Sequence, residues 1–178
     1  MGHTSSETPV LPSKYVFSDG RRFGHLGIWM RTSESDTLDL SSVTISFFMH
    51  STEDQQRLLA TIKSVLGLLD EEIQTEKLEG HFRNEIVSAK AHVTGSRARE
   101  VSRVLLGNLS ETSRKNLAQE LDRSVDEHEA LHLRIDRQSL HGSLELSDVE
   151  PIKVKIKPRM RIGGRNSMIQ RYRELISK

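Results

Sequence analysis

Cysteine is absent from the 178 residues. No disulfide, thiolate nucleophile or Cys-ligated zinc is available, which fits a reducing cytoplasm. Aromatic residues are only 4% of the chain. A core must therefore rest on Leu, Ile and Val, and few rings remain for stacking on bases. No apolar run approaches the roughly 18 residues of a membrane span. The N-terminus lacks a signal-peptide apolar region. A cytoplasmic protein without membrane contact is expected. The phosphate-cradling loops G-x-x-x-x-G-K-[ST] and G-x-G-x-x-G are missing, as is a G-x-S-x-G nucleophile elbow. No cofactor is expected.

What the sequence does hold is a segregated charge. The net charge is only +1. Residues 151–178 carry nine Lys/Arg against one acid, a net of +8, and residues 1–150 carry 17 against 24, a net of −7. A basic segment on an acidic body suits either a polyanion or an acidic protein surface. Within it, Ile152, Val154 and Ile156 alternate with Lys153, Lys155 and Lys157, and Arg159 and Arg161 keep the cationic parity past Pro158. On a strand, same-face residues recur about every 6.6 Å. The pattern predicts one buried face and a ladder of positive charge on the other. RNA or DNA phosphate is the commonest partner for such a ladder. Lysines on an edge strand also block aggregation, which is the competing explanation.

The periodicities predict an α+β fold. Residues 1–41 read as a mobile leader with one short strand at Phe23–Met30. Val43, Ile45, Phe47 and Met49 alternate as a first strand. Thr52 and Gln55 then make a capping box for a helix carrying Leu58, Leu59, Ile62, Val65, Leu66 and Leu69. Residues 72–79 and Val87 to Val93 read as two further strands joined by a hairpin-like connection. Gly95 opens a helix that ends near Gly107-Asn108, and Ser110 caps another. Leu131, Leu133 and Ile135 alternate as a fourth strand. Leu144, Leu146 and then Ile152 to Ile156 finish the sheet as a strand or strand pair. The order is β-α-β-β-α-α-β-β, with helices packed on one face of a mixed or antiparallel sheet. Residues 42–158 form the domain. Residues 159–178 are a basic tail ending in an amphipathic helix through Met168, Ile169, Tyr172, Leu175 and Ile176.

His128-Glu129-Ala130-Leu131-His132 matches the H-E-x-x-H string of zinc proteases, which needs both His on one helical turn. The alternation of Leu131, Leu133 and Ile135 places His132 on a strand instead. There the two His lie about 13 Å apart, too far to share a metal at about 2 Å per bond. No metal and no catalysis are expected, and a zinc hydrolase is the least favoured alternative. The cations Arg97, Arg99 and Arg103 form a basic helix face. Arg83 and Arg137 sit in polar clusters at the hairpin and after the fourth strand. These five join Lys153, Lys155, Lys157, Arg159 and Arg161 as candidate RNA contacts, with Phe82 as a candidate stacking group.

The segments Phe48-Met49-His50-Ser51-Thr52-Glu53-Asp54, Leu78-Glu79-Gly80-His81, Val93-Thr94-Gly95, Leu133-Arg134-Ile135-Asp136-Arg137-Gln138 and Pro151 to Lys157 occur in this order. Together they resemble the archaeal predicted exosome-subunit family over about residues 42–157. Ser51, Arg83, Glu85 and Arg137 depart from the family's usual Ala, Gly, Pro and Lys. The resemblance implies an RNA-binding domain, with a fold similar to the large-subunit ribosomal protein that binds 5S rRNA. It also implies exosome or ribosomal components as partners. The expected function is non-catalytic binding of structured RNA through phosphates, read by shape. The alternative is a protein-interaction module whose basic tail docks on an acidic partner.

Overall fold

The computed structural model describes residues 38–80, 83–159 and 163–177. The leader strand expected at Phe23–Met30, Phe82 and Arg161 lie outside the described residues.

Five antiparallel strands form one sheet: β1 (Leu40–His50), β2 (Ile73–Glu79), β3 (Glu85–Thr94), β4 (Leu131–Ile135) and β5 (Ile152–Pro158). Their order across the sheet is β2-β3-β1-β5-β4. The helices are α1 (Gln55–Leu66), α2 (Gly95–Asn108), α3 (Glu111–Gln119), the single turn α4 (Leu121–Ser124) and α5 (Arg165–Ile176). The α+β class and the order of elements are those the alternation predicts.

The strand parities explain the layering. Val43, Ile45, Phe47 and Met49 of β1 are buried, as are Val87, Ala89, Ala91 and Val93 of β3. Leu131, Leu133 and Ile135 of β4 and Ile152, Val154 and Ile156 of β5 join them in one cluster. Successive side chains point to opposite faces of a sheet, so these residues all lie on one face. The same cluster takes Ile62 and Leu66 from α1, Ala98, Val101 and Leu105 from α2, Leu117 from α3 and Leu121 from α4. It also takes Met168, Ile169, Tyr172 and Ile176 from α5. The helices therefore cover one face of the sheet, and among the described residues no element lies on the other, the open face.

Two local details differ from the expected ones, and a third settles an alternative. Asp54, not Thr52, caps α1, accepting from the Arg57 N–H at 3.0 Å. The turn before it bends Glu53 back, and its Oε2 accepts from the His50 N–H at 2.7 Å. α2 runs through Asn108 and ends at Leu109 in extended conformation, with no left-handed cap. The Asn108 side-chain amide instead donates to the Val65 carbonyl at 3.2 Å, tying α2 to the end of α1. Leu144 and Leu146 form isolated bridges to Leu109 and Ile135, so the last strand is single. Ser110 caps α3 as expected, accepting from the Ser113 N–H at 3.0 Å.

Candidate nucleic-acid interface

The open face is a grid whose rows are fixed by strand register. One row runs Arg134 (β4), Lys153 (β5), Ser46 (β1), Lys90 (β3) and Gln74 (β2). The next runs His132, Lys155, Thr44 and His92. Lys157 lies opposite Ser42 in the row after that. Strands lie about 4.8 Å apart, so Arg134 to Lys90 spans about 14 Å across the sheet, and Lys153 to Lys157 about 13 Å along it. Lys153 and Lys157 are exposed, and Lys155 is half-buried. The alternation expected of β5 is present, with Ile152, Val154 and Ile156 buried beneath it.

Like charges placed directly opposite one another weaken a strand pair. Arg134 and Lys153 are such a pair. Part of the charge is neutralised locally. Arg134 Nη1 lies 2.6 Å from Asp148 Oδ1. Asp126 Oδ2 takes both Lys155 Nζ at 3.1 Å and His132 Nε2 at 2.8 Å. Its Oδ1 accepts from the backbone N–H groups of His128 and Ala130, each at 2.9 Å. Burial raises the Asp126 pKa, but the bonds from His132, the Ala130 N–H and Lys155 outweigh it. They hold the carboxyl well below the usual carboxylate range. Lys153, Lys157 and Lys90 form no ion pair among the described residues. They are the uncommitted positive charge of the face.

The other cations singled out in the sequence lie elsewhere. Arg97 is gripped by Glu72, with Nε at 2.9 Å and Nη2 at 3.0 Å from its two oxygens. Nη2 also donates to the Gly67 carbonyl at 2.8 Å, and Nη1 to Glu100 at 2.5 Å. These bonds push the Arg97 pKa up and, through the Arg97 bond first, bring the Glu72 pKa down. Arg137 is 14% exposed. It donates to the Phe48 carbonyl at 2.6 Å and to Glu53 at 2.5 Å, with Glu150 at 3.3 Å. Two motifs of the resemblance, around Glu53 and around Arg137, thus meet in one polar clamp. Arg99 and Arg159 flank Asp39 at 3.6 and 3.4 Å. Arg103 is exposed on α2, on the helical side. Arg83 is exposed in the β2–β3 hairpin, where its φ is 58°.

The grid also collects residues that are not among the candidate contacts named from the sequence: Lys90, Arg134, His92 and His132. Their signal is parity. Lys90 and His92 alternate with Ala89, Ala91 and Val93, and His132 and Arg134 alternate with Leu131, Leu133 and Ile135. The H-E-x-x-H string spans a turn and the start of β4, so the helical geometry of a zinc protease is not assembled. Among the described residues no cluster of His, Asp and Glu could hold a metal ion. Among them too, no helix is long and apolar enough to cross a membrane.

A family model described as RNA binding matches residues 42–158. The chain belongs to this RNA-binding family. It is 30% identical over 129 residues to an RNA-binding protein of Pyrococcus abyssi, covering 67% of this chain and 84% of that one. A crystal structure from Archaeglobus fulgidus, described as DUF54, superposes with a TM-score of 0.64 at 28% identity, covering 77% of this chain and 99% of that chain. A DUF54 protein from Methanothermobacter thermautotrophicus shares the fold, with a TM-score of 0.63 at 22% identity over 77% of this chain and 98% of that chain. These relatives are archaeal, and residues 42–158 contain nearly all of the five strands of the grid.

Proposed function

We propose that the open face binds structured RNA, without catalysis, by contacting phosphates through Lys153, Lys155, Lys157, Lys90 and Arg134. The observation that carries this reading is the register of the sheet. It gathers five cations from three strands onto one face that no described element covers, at the cost of placing like charges face to face. Membership of an RNA-binding family supports RNA as the polyanion. The resemblance to the predicted exosome-subunit family extends the reading to an accessory role in RNA processing or at the ribosome.

Salt titration of binding to an RNA hairpin tests the surface. Five phosphate contacts should give a log–log slope of about −4 to −5, using the duplex-DNA coefficient of about −0.9 per contact. Lys153→Glu with Lys155→Glu and Lys157→Glu should abolish binding and leave the far-UV spectrum unchanged. Unchanged affinity at low salt in this variant would assign the lysines to edge protection instead. Crosslinking and sequencing of RNA bound to the native protein would name the RNA. Co-purified exosome or ribosomal components would test the accessory role.

A further inference from the structure

The open face has a second region, at the end of β1 next to the β2–β3 hairpin. Phe48 points outward there and is 51% exposed. Its partner across the β1–β3 pair is Ser88, and Ser46 precedes it on the same face. Both are small, so the ring stands clear of its neighbours. Ile86 and Leu78 face each other one row further on, and Leu78 is also exposed. Lys153 and Lys90 both pair with Ser46, which places each one diagonal from Phe48. Diagonal neighbours across strands are about 7–8 Å apart. Two carboxylates stand on other sides of the ring: Glu76 opposite Ser88 on β2, and Glu150, whose Oε1 lies 3.8 Å from His50 Nε2 in the row beyond. They would repel a phosphate there and favour the row of Lys153 and Lys90.

The strand beneath the ring is anchored. Phe48 pairs with β3, and where the ladder to β5 ends at Ser46, Arg137 donates to the Phe48 carbonyl at 2.6 Å. A large apolar side chain left in water on a rigid strand adds little to folding.

We propose that Phe48 is a stacking platform for a single unpaired base of the bound RNA, with Lys153 and Lys90 holding the adjoining phosphates. This rests on the open face being the RNA surface. Every base has a π-face, so one ring captures a nucleotide without reading its identity. A base inside an A-form helix is stacked on both sides and cannot reach the ring, whereas a bulged or looped base can. The preferred ligand is therefore a duplex carrying an unpaired nucleotide. One base is bound by stacking and the remainder by phosphate contacts, which suits a chain so poor in aromatics.

Two RNA hairpins, identical except for one bulged adenosine, test the platform. The native chain should bind the bulged hairpin more tightly. Phe48→Ala should weaken that complex on the order of ten-fold, the usual range for loss of one stacked base, and change the perfect hairpin by less than about two-fold. Phe48→Trp should restore the preference. In a chain that carries Phe48→Trp together with Trp29→Phe, the indole fluorescence should be quenched by the bulged hairpin alone. Equal weakening of both hairpins by Phe48→Ala, or no weakening, overturns the platform. So does an indole emission in the double variant that is blue-shifted without RNA and insensitive to it, because protein would then cover the ring. Loss of both complexes on changing Lys153, Lys155 and Lys157 to Glu, with Phe48→Ala silent, would overturn the platform and keep the phosphate surface. Binding that survives the lysine changes would overturn the surface itself.

Discussion

Arg137 shows how an arginine beside an acid in sequence becomes part of a fold. Its fork spans the end of β1 and the segment before β5, linking the Phe48 carbonyl, Glu53 and Glu150. A planar guanidinium presents its donors in a fixed fork that holds several acceptors in register, and an ammonium does not. Arg137→Ala leaves the partly buried Glu53 without its cation and the carbonyl without its donor. Hydrogen bonds to charged groups contribute about 1.5–3 kcal/mol, so a loss of about 2 kcal/mol is expected. For a chain of this size that lowers Tm by roughly 4–8 °C. Arg137→Lys should lose about half as much, since it keeps the charge and gives up the fork. Thermal melts of the three proteins check the size, and affinity for a perfect RNA duplex should stay within about two-fold, as expected of a residue that spends its donors inside the fold. A larger loss of affinity with an unchanged melt would make Arg137 an RNA contact rather than a clamp.

At the scale of elements, the turn between α4 and β4 holds the edge of the sheet together. One Asp126 oxygen caps the turn through two backbone N–H groups, and the other joins His132 of β4 to Lys155 of β5. Its folded pKa lies below the ordinary value near 3.9. A carboxylate depressed in the folded state stabilises above the unfolded pKa, and this contribution drains away as pH falls through the folded one. Asp126→Asn keeps the turn-capping oxygen but loses the charge. It should therefore be less stable than the native chain at pH 7, with the gap narrowing steadily below about pH 4. Denaturant midpoints measured from about pH 7 to about pH 2 check this, and a gap independent of pH would deny the ionic role. The strands around this turn were legible in the sequence because each alternates strictly over at least five residues. The grid was not, since alternation assigns a face to Lys90 or Arg134 but says nothing of which residue stands opposite. Register is set by pairing between distant segments, such as Ser46 with both Lys90 and Lys153. Arg97 escaped for a similar reason. Its partner Glu72 is 25 residues away, and spacing along α2 shows only a basic face.

Over the whole molecule, the basic C-terminal segment is not one electrostatic surface. β5 sends its lysines to the open face, while α5 turns back onto the helical side. Arg165 reaches the carbonyls of Val125 and Asp122, at the end of α4. Tyr172 is fully buried, and its hydroxyl lies 3.1 Å from the Glu129 carbonyl and 3.3 Å from that of Ile156. One hydroxyl thus ties α5 both to the turn before β4 and to β5 itself. Burial pushes its pKa up. An acid whose folded pKa is raised stabilises fully below its unfolded pKa, near 10 for tyrosine, and loses that contribution as pH rises further. Tyr172→Phe keeps the ring and removes the donor, so a loss of about 1–2 kcal/mol is expected at neutral pH. Tyr172→Ala removes the packing as well and should lose about 3–5 kcal/mol, as large aromatic truncations do. Above about pH 10 the native chain should lose stability faster than Tyr172→Phe, so that the two curves converge. Denaturant unfolding should remain a single transition with an unchanged m-value in Tyr172→Phe. A separate early transition for α5, or a midpoint unmoved by Tyr172→Ala, would mean that the helix hangs on the body without stabilising the strand that carries the lysines.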